Sequence, residues 1–371
     1  MRRAPIFLVA AVLAGGVFVA SPERIATPPV AHAGDDDDTN DVLERPKYVN
    51  ERCERAIEKG VAWLARKQKR SGEILSDNSG YGSGYPVAMT SLAGMAWLAH
   101  GDTPTKGKYA RNVRSAIDYL LHCAKNGNPR GFICSPGETS IHAHGFAMLF
   151  LAECLGSDAD PELETKIKEA LKKACEITNK AQSDMGGWYY TPDKGNDEGS
   201  TTITQVQALR ACRNAGLAVP VSVIKKAVKY IEKSVCPDGG IAYTARNGGG
   251  GSCAAITAAA VAVLYDAGEY DSKIAQKALA YCKSHINVND GGSAGGHYFY
   301  AHLYLAQANW QAAGANPKAW DDYYPKIRDV LCQRQQGDGS WDGDGVGRVY
   351  GTAIATTILA IPYEHVPIYA R

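Results

Sequence analysis

The sequence lacks a charge of one sign: 40 Lys and Arg stand against 39 Asp and Glu, for a formal net charge of +1. That balance excludes the basic footprint that nucleic acid or an anionic membrane surface requires. It also lacks an apolar run long enough to span a bilayer. The longest, within MRRAPIFLVAAVLAGGVFVA, holds about fifteen apolar residues, too few for a spanning helix. Behind Arg2 and Arg3 this run reads as a secretory signal, with Ala31 and Ala33 as the small residues that a signal peptidase inspects. Residues 1–33 are therefore expected to be removed, and the mature chain to be exported to a periplasmic or extracellular location. Residues 34–46 form an acidic, disordered leader, and 47–371 are expected to be one domain.

Ten cysteines in an exported chain raise the question of disulfides. Cys123, Cys175, Cys236, Cys282 and Cys332 occupy similar places near the end of the first helix of successive units. Equivalent residues in neighbouring helices would stand about 8–10 Å apart, beyond the reach of a disulfide. A ladder of bridges is excluded, and most of the cysteines are expected to be small buried apolar residues.

What the chain does have is a glycine that returns six times, at Gly72, Gly131, Gly186, Gly239, Gly291 and Gly339. A spacing of roughly 48–59 residues marks stacked supersecondary units. Each glycine follows an amphipathic stretch, such as Val223–Ile231 with its lysines on one side, and precedes a stretch apolar nearly all round, such as Cys253–Leu264. The first kind of helix faces water and the second is buried. First helices are expected to begin near Tyr48, Tyr109, Glu162, Pro220, Asp271 and Trp320. Gly101, Gly156, Gly216, Gly268 and Gly314 close five of the buried helices. Six exposed and six buried helices in alternation are satisfied together by an all-α fold, an (α/α)6 toroid of six helix hairpins with inner and outer rings. The glycine loops then gather at one end, where function is expected. Four of them are long: Ser71–Pro86, Tyr189–Ser200, Arg246–Ser252 and Gly337–Gly347.

Around two of the glycines the pattern is stronger: Gln182-x-x-x-Gly186-x-Trp188 and Gln335-x-x-x-Gly339-x-Trp341, with Gln68-x-x-x-Gly72 as a partial copy. Gln can satisfy free backbone groups at a helix end, and Trp offers a large plate to a neighbouring unit. These residues are expected to be staples between units. The motif resembles the Gln-Trp repeat of squalene-hopene cyclases and the repeats of protein prenyltransferase β subunits, over essentially the whole mature chain. The resemblance implies a protein that binds or acts on a hydrophobic, isoprenoid-like substrate in the central cavity. Neither catalytic motif is complete. The cyclase motif Asp-x-Asp-Asp-Thr is matched only by Asp35–Thr39 in the leader. Prenyltransferases hold zinc with Asp-x-Cys and a His on the next inner helix, which maps onto Cys253 and His302, with His297 as a further ligand and Gly251 where the Asp belongs. The thioester domains that share such a ring need a Gln that Cys134-Ser-Pro-Gly137 lacks.

The remaining candidates follow from position. His142 and His144 open the second inner helix, where each serves as a general base at the mouth or as a helix-terminal polar residue. Cys253, at the start of the fourth inner helix, is a further candidate catalytic residue. Tyr85, Tyr298, Tyr300 and Tyr350 stand at inner-helix starts and would line the cavity mouth. Carboxylates are scarce at the inner-helix starts, which argues against a glycosidase with two facing carboxyl groups. Asp193, Asp197, Glu198, Asp338, Asp342 and Asp344 are assigned to solvated rim loops. The alternative to the isoprenoid reading is a non-catalytic extracytoplasmic module that binds a peptide, glycan or protein partner.

Overall fold

The computed structural model describes residues 45–371 apart from 79–83, 136–139, 158–159, 247–249, 270–271, 291–295 and 370–371. The signal and most of the leader, Asp35–Thr39 and the fifth repeat glycine, Gly291, lie outside the described residues. Arg45 to Arg371 forms one compact unit.

Six helix hairpins follow one another. They are α1 (Glu51–Lys67) with α2 (Pro86–His100), α3 (Ala110–Asn126) with α4 (Ile141–Glu153), and α5 (Pro161–Ala181) with α6 (Gly199–Asn214). Then come α7 (Val221–Lys233) with α8 (Ala254–Asp266), and α9 (Lys273–His285) with α10 (Tyr298–Ala312). The one-turn α11 (Lys318–Asp321) precedes the last pair, α12 (Tyr324–Arg334) and α13 (Arg348–Ala360).

Burial follows the sequence pattern. In α7 the buried residues are Val223, Ala227, Tyr230 and Ile231, a single stripe at helical spacing. In α8 every residue from Ala255 to Asp266 is buried. The second helices α2, α4, α6, α8, α10 and α13 pack side by side and α13 returns to α2, so they close an inner ring. The first helices lie outside it, and α12 and α13 both pack on α1 to seal the seam. The fold is the expected α/α toroid.

Capping explains the sharp helix starts. Asn50 accepts from Cys53 N at 2.9 Å and Asp160 from Leu163 N at 3.1 Å, each satisfying a first-turn donor. Four of the five expected closing glycines, Gly101, Gly156, Gly216 and Gly268, take positive φ, whereas Gly314 does not. The chain after α13 folds over the end of the ring opposite the glycine loops. There Ile368 N donates to Glu153 Oε2 at 3.2 Å, and His365 Nδ1 lies 3.1 Å from Ala99 O.

Candidate functional site at the glycine-loop end

The expected staples are built alike. Gln182 Nε2 donates to Gly186 O and, across to the next outer helix, to Val223 O, both at 2.9 Å. Gln68 repeats this with Gly72 O and Asn112 O at 3.0 Å. Gln335 Nε2 donates to Gly339 O at 3.0 Å and to Ala56 O at 2.8 Å, which carries the same bond across the seam. Trp188 Nε1 and Trp341 Nε1 donate to Thr178 O at 2.7 Å and Leu331 O at 2.8 Å, and both indoles are buried. Gly186, at φ +106°, sits so close to α7 that a Cβ would lie 2.2 Å from Lys226 O.

A second recurring bond defines what the inner-helix histidines do. The residue two beyond the glycine donates its N–H to a threonine in the first turns of its inner helix. Ile74 N uses Thr90 at 2.8 Å, Trp188 N Thr202 at 3.0 Å, Ile241 N Thr257 at 2.8 Å and Trp341 N Thr352 at 3.0 Å. In the second unit the acceptor is His144 Nδ1, 3.0 Å from Ile133 N. Its proton is then on Nε2, which faces Ala174 O at 3.4 Å. Burial pushes this imidazole down to about 4, so it stays neutral and structural, not a base at the mouth. His302 occupies the corresponding place in α10, the fifth helical residue as in α13. It is fully buried, its Nδ1 lies 3.0 Å from Tyr323 OH, and burial lowers it to about 3.

Cys253 and His297 are the N-cap residues of α8 and α10. Among the described residues no group of three or more His, Cys, Asp and Glu side chains could hold a metal ion. Cys253, His297 and His302 are therefore not brought together as ligands.

The mouth is instead organised around Glu198, which the sequence placed in a solvated loop. The loop folds back so that Glu198 N donates to Trp188 O at 2.8 Å, and the side chain, 1% exposed, becomes the N-cap of α6. Its carboxylate accepts from Ser200 N and Ser200 Oγ at 2.8 Å, and from Thr201 N. Asp197 is buried as well, pairing with Arg246 at 2.6 Å and accepting from Ser183 Oγ at 2.7 Å. His142 Nε2 lies 2.9 Å from Ser200 Oγ and 3.8 Å from Glu198 Oε1, and its Nδ1 is 3.2 Å from Thr204 Oγ1. Burial lowers the His142 pKa while the Glu198 charge opposes it.

This trio is not a nucleophilic triad. There a histidine stands between the hydroxyl and the acid and takes the hydroxyl proton. Here the Ser200 hydroxyl touches both groups itself, 2.8 Å from the Glu198 carboxylate and 2.9 Å from His142 Nε2, so the histidine does not stand between hydroxyl and acid.

Over this network stand two tyrosines that sequence reasoning passed over. Tyr190 and Tyr243 are 38% and 42% exposed, and their hydroxyls are hydrogen-bonded to each other. The backbone fixes both in the same way. Ile141 N, at the start of α4, donates to Tyr190 O at 2.8 Å, and Gly199 N, at the start of α6, donates to Tyr243 O at 2.7 Å. Each lies four residues beyond its repeat glycine, where the other units carry Ser76, Ser135, Gly295 and Gly343. An aromatic at that register in consecutive units was the available signal. Burial raises both phenols, so both remain neutral hydroxyls.

Beneath them some polar side chains of different inner helices meet. Gln207 Nε2 donates to Gln307 Oε1 at 2.6 Å, from α6 to α10. The Tyr300 and Tyr304 hydroxyls are buried close to one another, with Thr204 beside Tyr304, and Glu198 and Tyr350 act electrostatically on Tyr300. Of the expected mouth residues, Tyr300 and Tyr350 take this inner place. Tyr298 is spent on structure, its hydroxyl donating to Val288 O at 2.8 Å beneath the Arg334 guanidinium. Tyr85 is the left-handed N-cap residue of α2.

No protein-family model matches the chain, and no curated protein matches it in sequence. Solved structures do share its fold. A D-mannose isomerase matches with a TM-score of 0.61 at 13% identity, over 87% of this chain and 99% of its own. The GH76A α-1,6-mannanase of Salegentibacter sp. HEL1_6 matches at 0.62 and 10%, over 84% and 99%. The cellobiose 2-epimerase of Bacillus thermoamylovorans B4167 matches at 0.61 and 10%, over 84% and 98%. At these identities the likeness is one of fold.

The cyclase and prenyltransferase resemblance is corrected by these matches, which are toroids named for work on sugars. The Gln-Trp motif misled because its bonds are those of ring assembly, independent of what the ring holds. The isoprenoid reading falls with it. Among the described residues no helix is long and apolar enough to cross a membrane.

Proposed function

We propose that this protein binds a carbohydrate at the glycine-loop end of its ring, outside the cytoplasm, as a glycan-directed module. The observation that carries this reading is the exposed Tyr190–Tyr243 pair over the Glu198–Ser200–His142 network, with its buried carboxylate. A sugar ring presents an apolar C–H face and a rim of hydroxyls. Tyrosine faces meet the first, and a carboxylate, a neutral imidazole and phenols meet the second. The solved toroids named for mannose, mannan and cellobiose add support at the level of fold.

The test is titration calorimetry with mannose, α-1,6-mannotriose and cellobiose. Binding by the wild type, weakened about tenfold or more in Tyr190→Ala and Tyr243→Ala, equivalent to about 1.4 kcal/mol, is the expected result. No heat with any of the three, or full affinity in the double variant, would overturn the reading. Proton NMR of the same mixtures reads turnover: new sugar signals that vanish in Glu198→Gln would make the module an enzyme.

A further inference from the structure

The near-zero net charge is not spread evenly over the ring. The outer helices α7 and α9 carry Lys225, Lys226, Lys229, Lys233, Lys273, Lys277 and Lys283 against a single carboxylate, Glu232. All seven lysines are exposed, and among the described residues none of them takes part in a salt bridge or a side-chain hydrogen bond. The two helices are consecutive on the outer wall: α7 packs on α6 and α9 on α8, inner helices that touch each other. Gly239, in the turn that leaves α7, lies against α9, where its missing Cβ would come 3.4 Å from Lys277 Cβ.

Stability does not explain this arrangement. Lys225, Lys229 and Lys233 follow one another at four-residue intervals, as do Lys273 and Lys277. Like charges at that spacing are neighbours on a helix surface and repel. The outer helix α5 shows the alternative. Its Lys166 and Lys168 each stand four residues after a glutamate and pair with it, at 2.7 Å to Glu162 and 3.1 Å to Glu164. On α7 and α9 the repulsion is kept, and the acids that would offset it are missing.

We propose that the α7–α9 wall is a docking surface for an anionic polysaccharide, a chain bearing carboxylate or sulfate groups on its sugars. The inference rests on the glycan-directed reading above and names the class of glycan. Such a polymer supplies the charges that the wall lacks. Lysines four residues apart stand about 6 Å apart along the helix axis, a row that a repeating charge can follow. Other polyanions fit less well. Neither helix carries arginine, whose planar fork suits phosphate. Their aromatics, Tyr230 and Tyr281, are buried and cannot stack on a base. The one large apolar residue exposed on either helix is Val221, too little to anchor in a lipid surface. Lys233 closes α7 at the glycine-loop end, and the connection that follows carries Tyr243, so the lysine row leads towards the tyrosine pair at the mouth.

The full chain is titrated in low salt with oligogalacturonate, dextran sulfate, neutral dextran, duplex DNA and phosphatidylglycerol vesicles. The expected result is binding of at least one acidic polysaccharide, the tighter of the two telling carboxylate from sulfate recognition. Neutral dextran should not bind, and the affinity should fall as salt rises. Lys225→Gln, Lys229→Gln, Lys233→Gln and Lys277→Gln combined should weaken binding about tenfold or more. The melting temperature of that variant should stay level or rise, because like-charge pairs are removed. Lys166→Gln with Lys168→Gln, on α5, should leave binding unchanged. No binding of either acidic polysaccharide, full affinity in the fourfold variant, or DNA or vesicles bound as tightly as the polysaccharide would overturn the proposal. Titration of α-1,6-mannotriose into the same preparation separates the two readings: its binding, with neither acidic polymer bound, overturns the wall and leaves the mouth standing.

Discussion

Replacing Gly186 by alanine should cost far more than a turn glycine normally does, and the structure says why. Two terms add. A non-glycine residue at φ +106° carries backbone strain of about 1–3 kcal/mol. The new Cβ would also lie 2.2 Å from Lys226 O, over 1 Å inside ordinary contact, so α7 must move away from the loop. Overpacking of that kind costs about 1–3 kcal/mol. The sum, about 2–6 kcal/mol, is a large part of the roughly 5–15 kcal/mol that holds a typical domain together. Gly216 provides the control, because it also has positive φ, +83°, yet nothing stands within 4 Å of its missing Cβ. Gly216→Ala should therefore cost only the backbone part, about 1–2 kcal/mol. Urea unfolding of both variants, with equal m-values, measures the difference through the midpoints. Equal losses in the two would show that the repeat glycine is only a turn, and that close approach to the next outer helix contributes nothing.

Trp188→Ala should destabilise by about 3–5 kcal/mol, since a buried indole is lost and Thr178 O loses its donor; calorimetric melting checks this. Gln335→Leu strips the donor from Gly339 O and one of two donors from Ala56 O, which keeps its helical bond, and should cost about 1–3 kcal/mol, read by urea unfolding. Burial lowers His144 to about 4 from an ordinary value of about 6.5. The unfolded chain therefore binds the extra proton first. Stability from this site is complete above about pH 6.5 and falls as pH drops through about 4, by about 3 kcal/mol in all. His144→Asn, which keeps an acceptor near Nδ1, should flatten that part of the pH profile. Glu153 runs the other way, raised by burial to about 7. Its contribution is complete below about pH 4 and is lost as pH rises through about 7, so Glu153→Gln should melt higher than wild type at pH 8 and match it near pH 4.

The ring was legible because its determinants are local and periodic. The stripe on α7 and the all-round apolarity of α8 are visible in single segments, and the observed outer-helix starts fall within four residues of those expected. The Gln staples were legible for the same reason. The mouth was not, because its residues acquire their roles from neighbouring units. Glu198, in the sequence Asn-Asp-Glu-Gly, looks solvated until the bond from its N–H to Trp188 O turns it inward. His144 looks like a base until one sees that Ile133 N uses it as other units use threonine. Tyr190 and Tyr243 become a pair only when two units are laid side by side.

A ring closed at its seam by the same staple that joins the first unit to the second and the third to the fourth has no first or last repeat. Open arrays must spend their terminal repeats on polar caps. Here Gln335 gives the first outer helix what Gln182 gives the fourth, so the two ends cap each other. The order of units along the gene is then a convention that the packing does not read. A chain opened at another connection, with its old ends joined, would present the same neighbours to every helix. Removing one unit, by contrast, exposes two inner faces at once, and a second molecule that has lost the same unit is the surface best shaped to cover them.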